Sequence, residues 1–534
     1  MSEPADLVVV GAGPAGMAAT ATALAGGLRV VLVDSGTALG GQYWRHPPEH
    51  ARAAVPTDDL HHGLRACRAL CRALTAHRAA GRLDLRLEHH AWSAVREGDG
   101  FAVHVVDRRA APRETPGVVR APRLLVATGA YDRQLPFPGW DLPGVLTAGG
   151  LQALLKGGGV AAGSRVALGG TGPFLLPVAA GLAARGVEVV AVCEAAHPRA
   201  WLRRPGPLLR NPAKWAEGAG YAAVLARHRV PVRPRTAIVA AEGGERVTSV
   251  RIASLTPDGS PRPGTERRVE VDAVGVGWGF TPQLDLLVPL GCALTDSADG
   301  NAVAVVDAGQ RTTVPGLYTA GETCGVGGAA LAVNEGRLAA QSVLTDSGAP
   351  HVGANRRLAA VRSAVDRQRA FARAMALAHP VPPAWSSWLT DETVVCRCEE
   401  VNAAAVRTAR AAGAQDHRQV KQLTRAGMGW CQGRMCQPAV HCLTARERAY
   451  EPAERLVATP VTLGALADLD EGPPPQTPAT PQAPATPQTP ATPQTPATPQ
   501  TPATPQTPAT PQAPAAPPAP SGPAANGATD KECS

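Results

Sequence analysis

The chain has 534 residues, with 52 Lys+Arg against 44 Asp+Glu and a formal net charge of +8, long enough for two to four domains with sizeable cores. The basic excess is arginine scattered among acids, without the dense runs or interleaved aromatics of a nucleic-acid groove, so the charge gives no reason to expect such a partner. Eleven cysteines, an odd number, do not make a secreted disulfide framework.

In chain order, the first predicted element is a strand over Leu7–Val10. It runs into Gly11-Ala-Gly13-Pro14-Ala15-Gly16 and an alanine-rich helix to about Leu24; a second strand, Leu28–Val33, ends in Asp34. Residues 7–27 are uncharged and apolar enough to mimic a membrane span or signal sequence. However, Glu3 and Asp6 precede them and glycines recur inside, so strand–turn–helix fits better. No other segment reads as a membrane span, and a cytoplasmic protein is expected. In such a βαβ unit Gly11 permits the tight turn, Gly13 lets the backbone approach a pyrophosphate, and Gly16 lets helix and strand pack closely. The helix N-terminus supplies amide donors. Asp34, about twenty residues on, is expected to accept hydrogen bonds from ribose hydroxyls. A dinucleotide site follows.

His61-His62 and His89-His90 read as packing or solvated residues, because adjacent side chains diverge. Cys67 and Cys71 share one face of an Arg/Leu-rich helical stretch. Further strands are predicted over Arg82–Leu87, Phe101–Val106 and Arg123–Val126. A second βαβ signal has a strand over Arg165–Leu168, a turn at Gly169-Gly170-Thr171-Gly172, a helix over Phe174–Ala184, and a strand Val187–Val192 leading to Glu194. Leu175 stands where a third glycine would be. Gly170, Gly172 and Glu194 therefore mark a weaker site with three open readings: NAD(H), another adenine nucleotide, or a purely structural domain. Glu194 facing a ribose would repel a 2′-phosphate. Strands near Val247–Ile252 and Val269–Gly275 close this domain, and after Gly279-Phe-Thr-Pro282 the chain returns to the first. A helix is predicted over Leu331–Leu344 and another over 354–378.

Near the C-terminus stand Cys396-x-Cys398 and, thirty-two residues on, Cys431-x4-Cys436. Two tight pairs of thiolates can ligate both irons of a 2Fe–2S cluster. Zinc also takes four thiolates, but its pairs are usually separated by two to four residues. Arg397, Arg425 and Arg434 would offset an anionic cluster or are simply solvated, and Trp430 is expected to shield it. Cys324 reads as a packing residue. From Gly472 the sequence is low-complexity, with a Thr-Pro-Ala-Thr-Pro-Gln unit occurring six times with small variations. It lacks residues able to form a core and is expected to be disordered, with polyproline II character.

Three segments carry a resemblance: Gly40-Gly41-Gln42, Ala127-Thr128-Gly129 and Thr319-Ala-Gly321-Glu322. They resemble the flavin-contacting segments of two-dinucleotide-domain flavoproteins such as thioredoxin and glutathione reductases, which implies FAD. Here Glu322 replaces that family's usual aspartate. No Cys-x-x-Cys occurs, so disulfide reduction is a poor reading. Cys396-Arg-Cys398-Glu399 with Thr424-Arg-Ala-Gly-Met-Gly-Trp-Cys431-Gln-Gly-Arg-Met-Cys436 resembles the bacterioferritin-associated-ferredoxin-like (BFD-like) module, which implies iron–sulfur rather than zinc. Residues 5–470 together resemble the larger FAD/iron–sulfur subunits of bacterial amine and amino-acid dehydrogenases of the opine oxidase, hydrogen cyanide synthase and D-hydroxyproline dehydrogenase kind. Gly139-Trp-Asp-Leu-Pro-Gly144, Ala329–Arg337 and Pro460-Val-Thr-Leu-Gly-Ala-Leu-Ala467 share in that resemblance.

The resemblance implies an α/β fold with two Rossmann-like domains, a small helical 2Fe–2S domain and a disordered Pro/Thr/Gln tail. The expected boundaries are 1–145 with 281–350 for FAD, 146–280 for the second nucleotide domain, 351–390 for a helical connector, 391–447 for the cysteine module, 448–471 for an extension and 472–534 for the tail. Implied partners are an electron acceptor, an FAD-containing substrate-oxidising beta subunit and a small ferredoxin-like subunit. No residue stands out as the acid or base for C–H oxidation. Two other readings stay open: a self-contained NADH-dependent reductase, and a non-catalytic iron–sulfur scaffold with bound nucleotide.

Overall fold

Uninterrupted β-branched and leucine runs can be buried on both faces, the pattern of parallel strands under helices. In the computed structural model, which describes residues 4–48, 51, 57–350, 355–444, 452, 454–455 and 457–469, they build two parallel sheets. The first has the order Leu317–Thr319, Leu124–Val126, Leu7–Val10, Val30–Val33, Leu83–Arg86, every neighbouring pair parallel. Leu7 to Val10 are all buried, and each such side chain contributes about 1.5–3 kcal/mol. Helices Pro14–Ala25 and Ala329–Asp346 cover one face, packing so closely that a Cβ on Gly336 would lie 2.1 Å from the Ala15 carbonyl oxygen.

The second sheet has the order Val232–Pro234, Glu188–Glu194, Arg165–Gly170, Ala273–Gly277, Val145–Thr147, again parallel. A three-stranded antiparallel sheet accompanies each parallel one, formed by His89–Glu97, Gly100–Asp107 and Thr115–Ala121 in one case. Thr236–Gly243, Val247–Ser254 and Arg267–Glu270 form the other. The chain leaves the first domain and returns through an antiparallel ribbon, Ala130–Asp132 with Phe280–Pro282.

One expected strand is two. Residues 269–275 span the end of Arg267–Glu270, which pairs antiparallel with Val247–Ser254, and the start of Ala273–Gly277, which lies in the parallel sheet. Asp272 makes the break. Its carboxylate accepts the N–H of Ser164 and Arg165 at 2.9 Å each, and so pins the start of the neighbouring strand.

The helix Asn355–Ala378 is more than a connector. Leu331, Leu338 and Val365 form a core between it and Ala329–Asp346, and Arg369 donates to buried Glu335 at 2.9 Å. Beyond it, the hairpin Val394–Cys396 with Val401–Asn402 and the helices Ala403–Ala411, His417–Thr424 and Gln437–Thr444 form the cysteine module. Its apolar core is continuous with Leu135, Val239, Leu255 and Trp278 of the body. Met1–Asp470 makes one compact unit. The expected disordered tail lies outside the described residues. Among the described residues no helix is long and apolar enough to cross a membrane.

Candidate functional site

The first glycine motif is forced by contact. Gly11 has φ +105°, and a Cβ there would lie 2.3 Å from the Ala127 carbonyl oxygen; one on Gly16 would lie 1.7 Å from the Gly11 carbonyl oxygen. At Gly13 a Cβ would meet nothing within 4 Å, so this residue faces open space at the helix start. Gly13 caps the helix without a side-chain hydrogen bond, Pro14 occupies the first turn, and no acid lies there. An uncapped N-terminus with a bare glycine beside it suits a pyrophosphate. Ala15 packs under Gly321, whose Cβ would come within 3.1 Å of the Ala15 Cβ.

Asp34 sits at the end of its strand, with Oδ2 accepting from Ala12 N–H at 2.5 Å and Oδ1 from Gly36 N–H at 2.6 Å. It therefore braces the glycine turn. One further lone pair on each oxygen is left for a ribose hydroxyl. Burial pushes its carboxyl up, and those two N–H groups pull the other way. Gly41 lies over Gly13, where a Cβ would come within 2.8 Å of the Gly13 Cα. Exposed Gln42 accepts from Arg45. Thr128 donates to the Gln283 carbonyl at 2.8 Å, and Gln283 N–H donates to Gly129 at 2.9 Å.

Glu322 opens the short turn Glu322–Cys324. Its oxygens accept from Gly328 N–H at 2.9 Å and Gly327 N–H at 3.2 Å, holding the loop that enters Ala329–Asp346. Burial pushes its carboxyl up to about 7. Beside it Glu335, 1% exposed, accepts from Gly321 N–H and Arg369. Cys324 contacts the Gln310 side chain, a packing position.

At the second motif the geometry differs. Gly170 is equally forced, its Cβ lying 1.8 Å from the Gly277 carbonyl oxygen. The helix, however, begins at Leu175, three residues past Gly172, whereas the first begins directly after Gly13. Buried Leu175 fits because the facing strand offers Gly277, where a Cβ would stand 3.3 Å from Leu175 Cδ2. Glu194 accepts from Thr171 Oγ1 at 3.0 Å, Gly172 N–H at 2.9 Å and Ala196 N–H at 2.8 Å. His379 Nδ1 stands 3.5 Å from it, and that ring accepts from Trp201 Nε1 at 3.0 Å.

The four C-terminal cysteines come together. Cys396 and Cys436 are buried and hydrogen-bonded to each other, and Cys398, exposed, is hydrogen-bonded to Cys431. The bond from Cys436 leads in holding the Cys396 thiol down to about 5, and Gly427 N–H, 3.5 Å from its sulfur, acts in the same direction. The glycines of the motif serve this approach, since a Cβ on Gly429 would lie 2.2 Å from the Cys398 Cβ. Among the described residues no three His, Cys, Asp or Glu side chains converge as one ion would require. Two thiol pairs, with two sulfurs for each iron, fit a binuclear cluster.

One expectation fails here and one residue was missed. Trp430 is 81% exposed and does not shield the thiols. Arg425 and Arg397 are exposed and Arg434 is not, and all three have protein partners. Arg425 pairs with Glu399 at 2.9 Å, Arg397 stacks over Trp140 and donates to the Asp141 carbonyl, and Arg434 pairs with Asp285 at 3.1 Å. The residue missed is Asp285, whose side chain is 2% exposed and also pairs with Arg455 at 2.8 Å. Arg434 holds the Cys431 carbonyl and Arg455 the Gln432 carbonyl, so Asp285 clamps the cysteine loop to the flavoprotein body. Its one signal is a lone acid in the apolar run Pro282–Leu290. Tryptophan N–H groups add ties: Trp140 to Val394 at 2.6 Å, Trp385 to Pro136 at 2.9 Å and Trp388 to Gly259 at 3.0 Å.

The remaining candidates pack. His61 bonds the Thr57 and Arg45 carbonyls, His62 stacks edge-on against Tyr221, and Cys67 and Cys71 join one apolar cluster.

Two parallel-sheet domains joined by a ribbon, one with an intact dinucleotide turn, define a class of flavoprotein. The chain belongs to the pyridine nucleotide-disulphide oxidoreductase family, whose model matches residues 5–339, and a BFD-like 2Fe-2S binding domain matches residues 394–445. It is an FAD-dependent oxidoreductase with an iron–sulfur module. Among curated relatives it is 35% identical over 443 residues to the hydrogen cyanide synthase subunit HcnB of Pseudomonas aeruginosa, covering 80% of this chain and 90% of that one. It is 34% identical over 490 residues to an opine oxidase subunit of Rhizobium meliloti, covering 87% and 99%. Among solved structures, L-proline dehydrogenase from P. horikoshii shares the fold at TM-score 0.62 and 21% identity, covering 87% of this chain and 79% of that one.

Proposed function

We propose that the chain is the electron-transfer subunit of a multi-subunit amine or amino-acid dehydrogenase of the opine, hydroxyproline, proline or glycine type. Its FAD site would receive electrons from a substrate-oxidising, FAD-containing beta subunit, with a small ferredoxin-like subunit completing the assembly. One observation carries the reading: a flavoprotein dinucleotide turn and a four-thiol centre share one compact unit, clamped by Asp285 and Trp140. Its relatives' names, one a subunit of an oxidase and the other of a synthase, agree with a role shared between chains.

Bound FAD would supply a two-electron carrier and the cluster a one-electron carrier, while the protein sets their placement. Gly11, Gly13, Pro14, Ala15 and Gly16 would cradle the FAD pyrophosphate, with Asp34 toward a ribose. Gly41, Gln42, Ala127, Thr128, Gly129 and Gly321 would line the rest of the cofactor, and Glu322 would hold the loop beside it. Cys396, Cys398, Cys431 and Cys436 would ligate the cluster.

The NADH-reductase reading stands behind this one. Its ribose acceptor, Glu194, already takes three hydrogen bonds from the protein and faces His379. The scaffold reading would require purified protein without flavin.

The test is co-purification from the native host, with flavin and iron analysis and a screen of amine substrates. The complex is expected to reduce a dye with an amine, and Cys431→Ser to lose that activity with the cluster's spectral signature while flavin stays. Full activity without the cluster, or rapid flavin bleaching by anaerobic NADH, would overturn the proposal.

A further inference from the structure

A cleft of about 290 Å³ opens between the helices Ala148–Gly158, Leu175–Ala184 and Pro212–Arg227 and the loop through Leu60 and His62. Its walls are mostly apolar, with Leu155, Val178 and Val224 among them, and Lys156 lines it. Lys156 is 5% exposed. Its ammonium donates to the Tyr43 carbonyl at 3.0 Å and lies 5.4 Å over the Tyr43 ring. An ammonium has three protons to donate. Among the described residues no carboxylate pairs with it: Asp59, at the rim, is held by Arg185, and Glu217 by Lys214 and Tyr221.

A buried cation without a counter-charge is costly, and proteins ordinarily pair it or neutralise it. Here burial has drawn the ammonium down to about 8, which still leaves it mostly charged at neutral pH. Tyr43 directly follows Gln42, so Lys156 braces the segment expected near the flavin.

We propose that this cleft binds a small organic monoanion, a carboxylate ion-paired to Lys156 with its hydrocarbon body against Leu155, Val178 and Val224. The cleft's volume accommodates a short branched-chain acid. Inorganic phosphate is a poor match, because it wants several donors and the walls supply few.

The experiment is isothermal titration of the purified, flavin-loaded full chain with 4-methylpentanoate, its uncharged amide, and inorganic phosphate. The acid is expected to bind at least tenfold more tightly than amide or phosphate. Lys156→Met is expected to remove that preference, and Val224→Trp to abolish acid binding by filling the cleft while Lys156 remains. Flavin content and Tm establish that each variant is folded; should Lys156→Met fail this check, acid against amide on the natural chain and Val224→Trp still decide. Equal affinity for acid and amide, unchanged acid binding by either folded variant, phosphate binding as tight as the acid, or no uptake at millimolar acid would each overturn the proposal.

Discussion

At Asp285 one buried carboxylate meets two guanidiniums, and each guanidinium also holds a carbonyl of the cysteine loop. Removing one partner of a buried pair costs about 3–5 kcal/mol, because the charges left behind lose their compensation. Asp285→Ala is therefore expected to lower the unfolding free energy by about that amount and to reduce iron per chain, with flavin content held. Iron at the natural level in a folded variant would show that the loop does not need the clamp. Glu322 makes a pH prediction. A carboxyl raised to about 7 from 4.5 contributes stability that is fully present below 4.5 and lost as pH rises through 7, a swing of about 3 kcal/mol at 1.36 kcal/mol per unit. Glu322→Gln removes the ionisation but keeps the shape. The natural chain's stability relative to this variant should thus fall between pH 5 and pH 8 in urea unfolding; a constant difference would mean that Glu322 does not titrate there.

Elements whose pattern is local were legible in the sequence: Leu7–Val10 and Arg165–Gly170 are uniform runs ending in glycine turns, and the structure forms both. The stretch 269–275 was not, because what divides it is Asp272 bonding to Ser164 and Arg165, more than a hundred residues away. Asp285 was silent for the same reason, since its partners Arg434 and Arg455 lie far along the chain. Trp140 shows how a motif that marks a family acquires a physical reason only in three dimensions. It bonds Val394, two residues before Cys396, and supports Arg397 from below. Trp140→Phe keeps an aromatic ring but loses the N–H together with part of the buried indole, leaving the Val394 carbonyl without that donor, at a cost of at least about 1–3 kcal/mol. Iron release to a chelator is expected to quicken while the flavin spectrum stays unchanged. Equal release rates would make Trp140 a packing residue alone.

Over the whole molecule, the residue range of a module and the reach of its core diverge. A BFD-like domain is matched over residues 394–445, yet Trp385, Trp388, Val395 and Val406 share one apolar cluster with Leu135, Val239, Leu255 and Trp278. A chain ending at residue 390 would uncover the part of the body that Val395, Val401, Val406 and Val440 now bury. At about 25 cal/mol for each Å² of apolar surface returned to water, a few hundred Å² amount to several kcal/mol, comparable with a domain's whole margin of stability. It would also leave Asp285 without Arg434 and Arg455, and Trp140 without its acceptor on Val394. Such a chain is expected to aggregate or to unfold well below the full-length protein, and to lose flavin with it, although every residue of the dinucleotide turn is present. A truncated chain with natural flavin content and an unchanged Tm would mean instead that the cysteine module is an independent appendage, and that contact across this core is not what holds the thiol pairs to the flavoprotein.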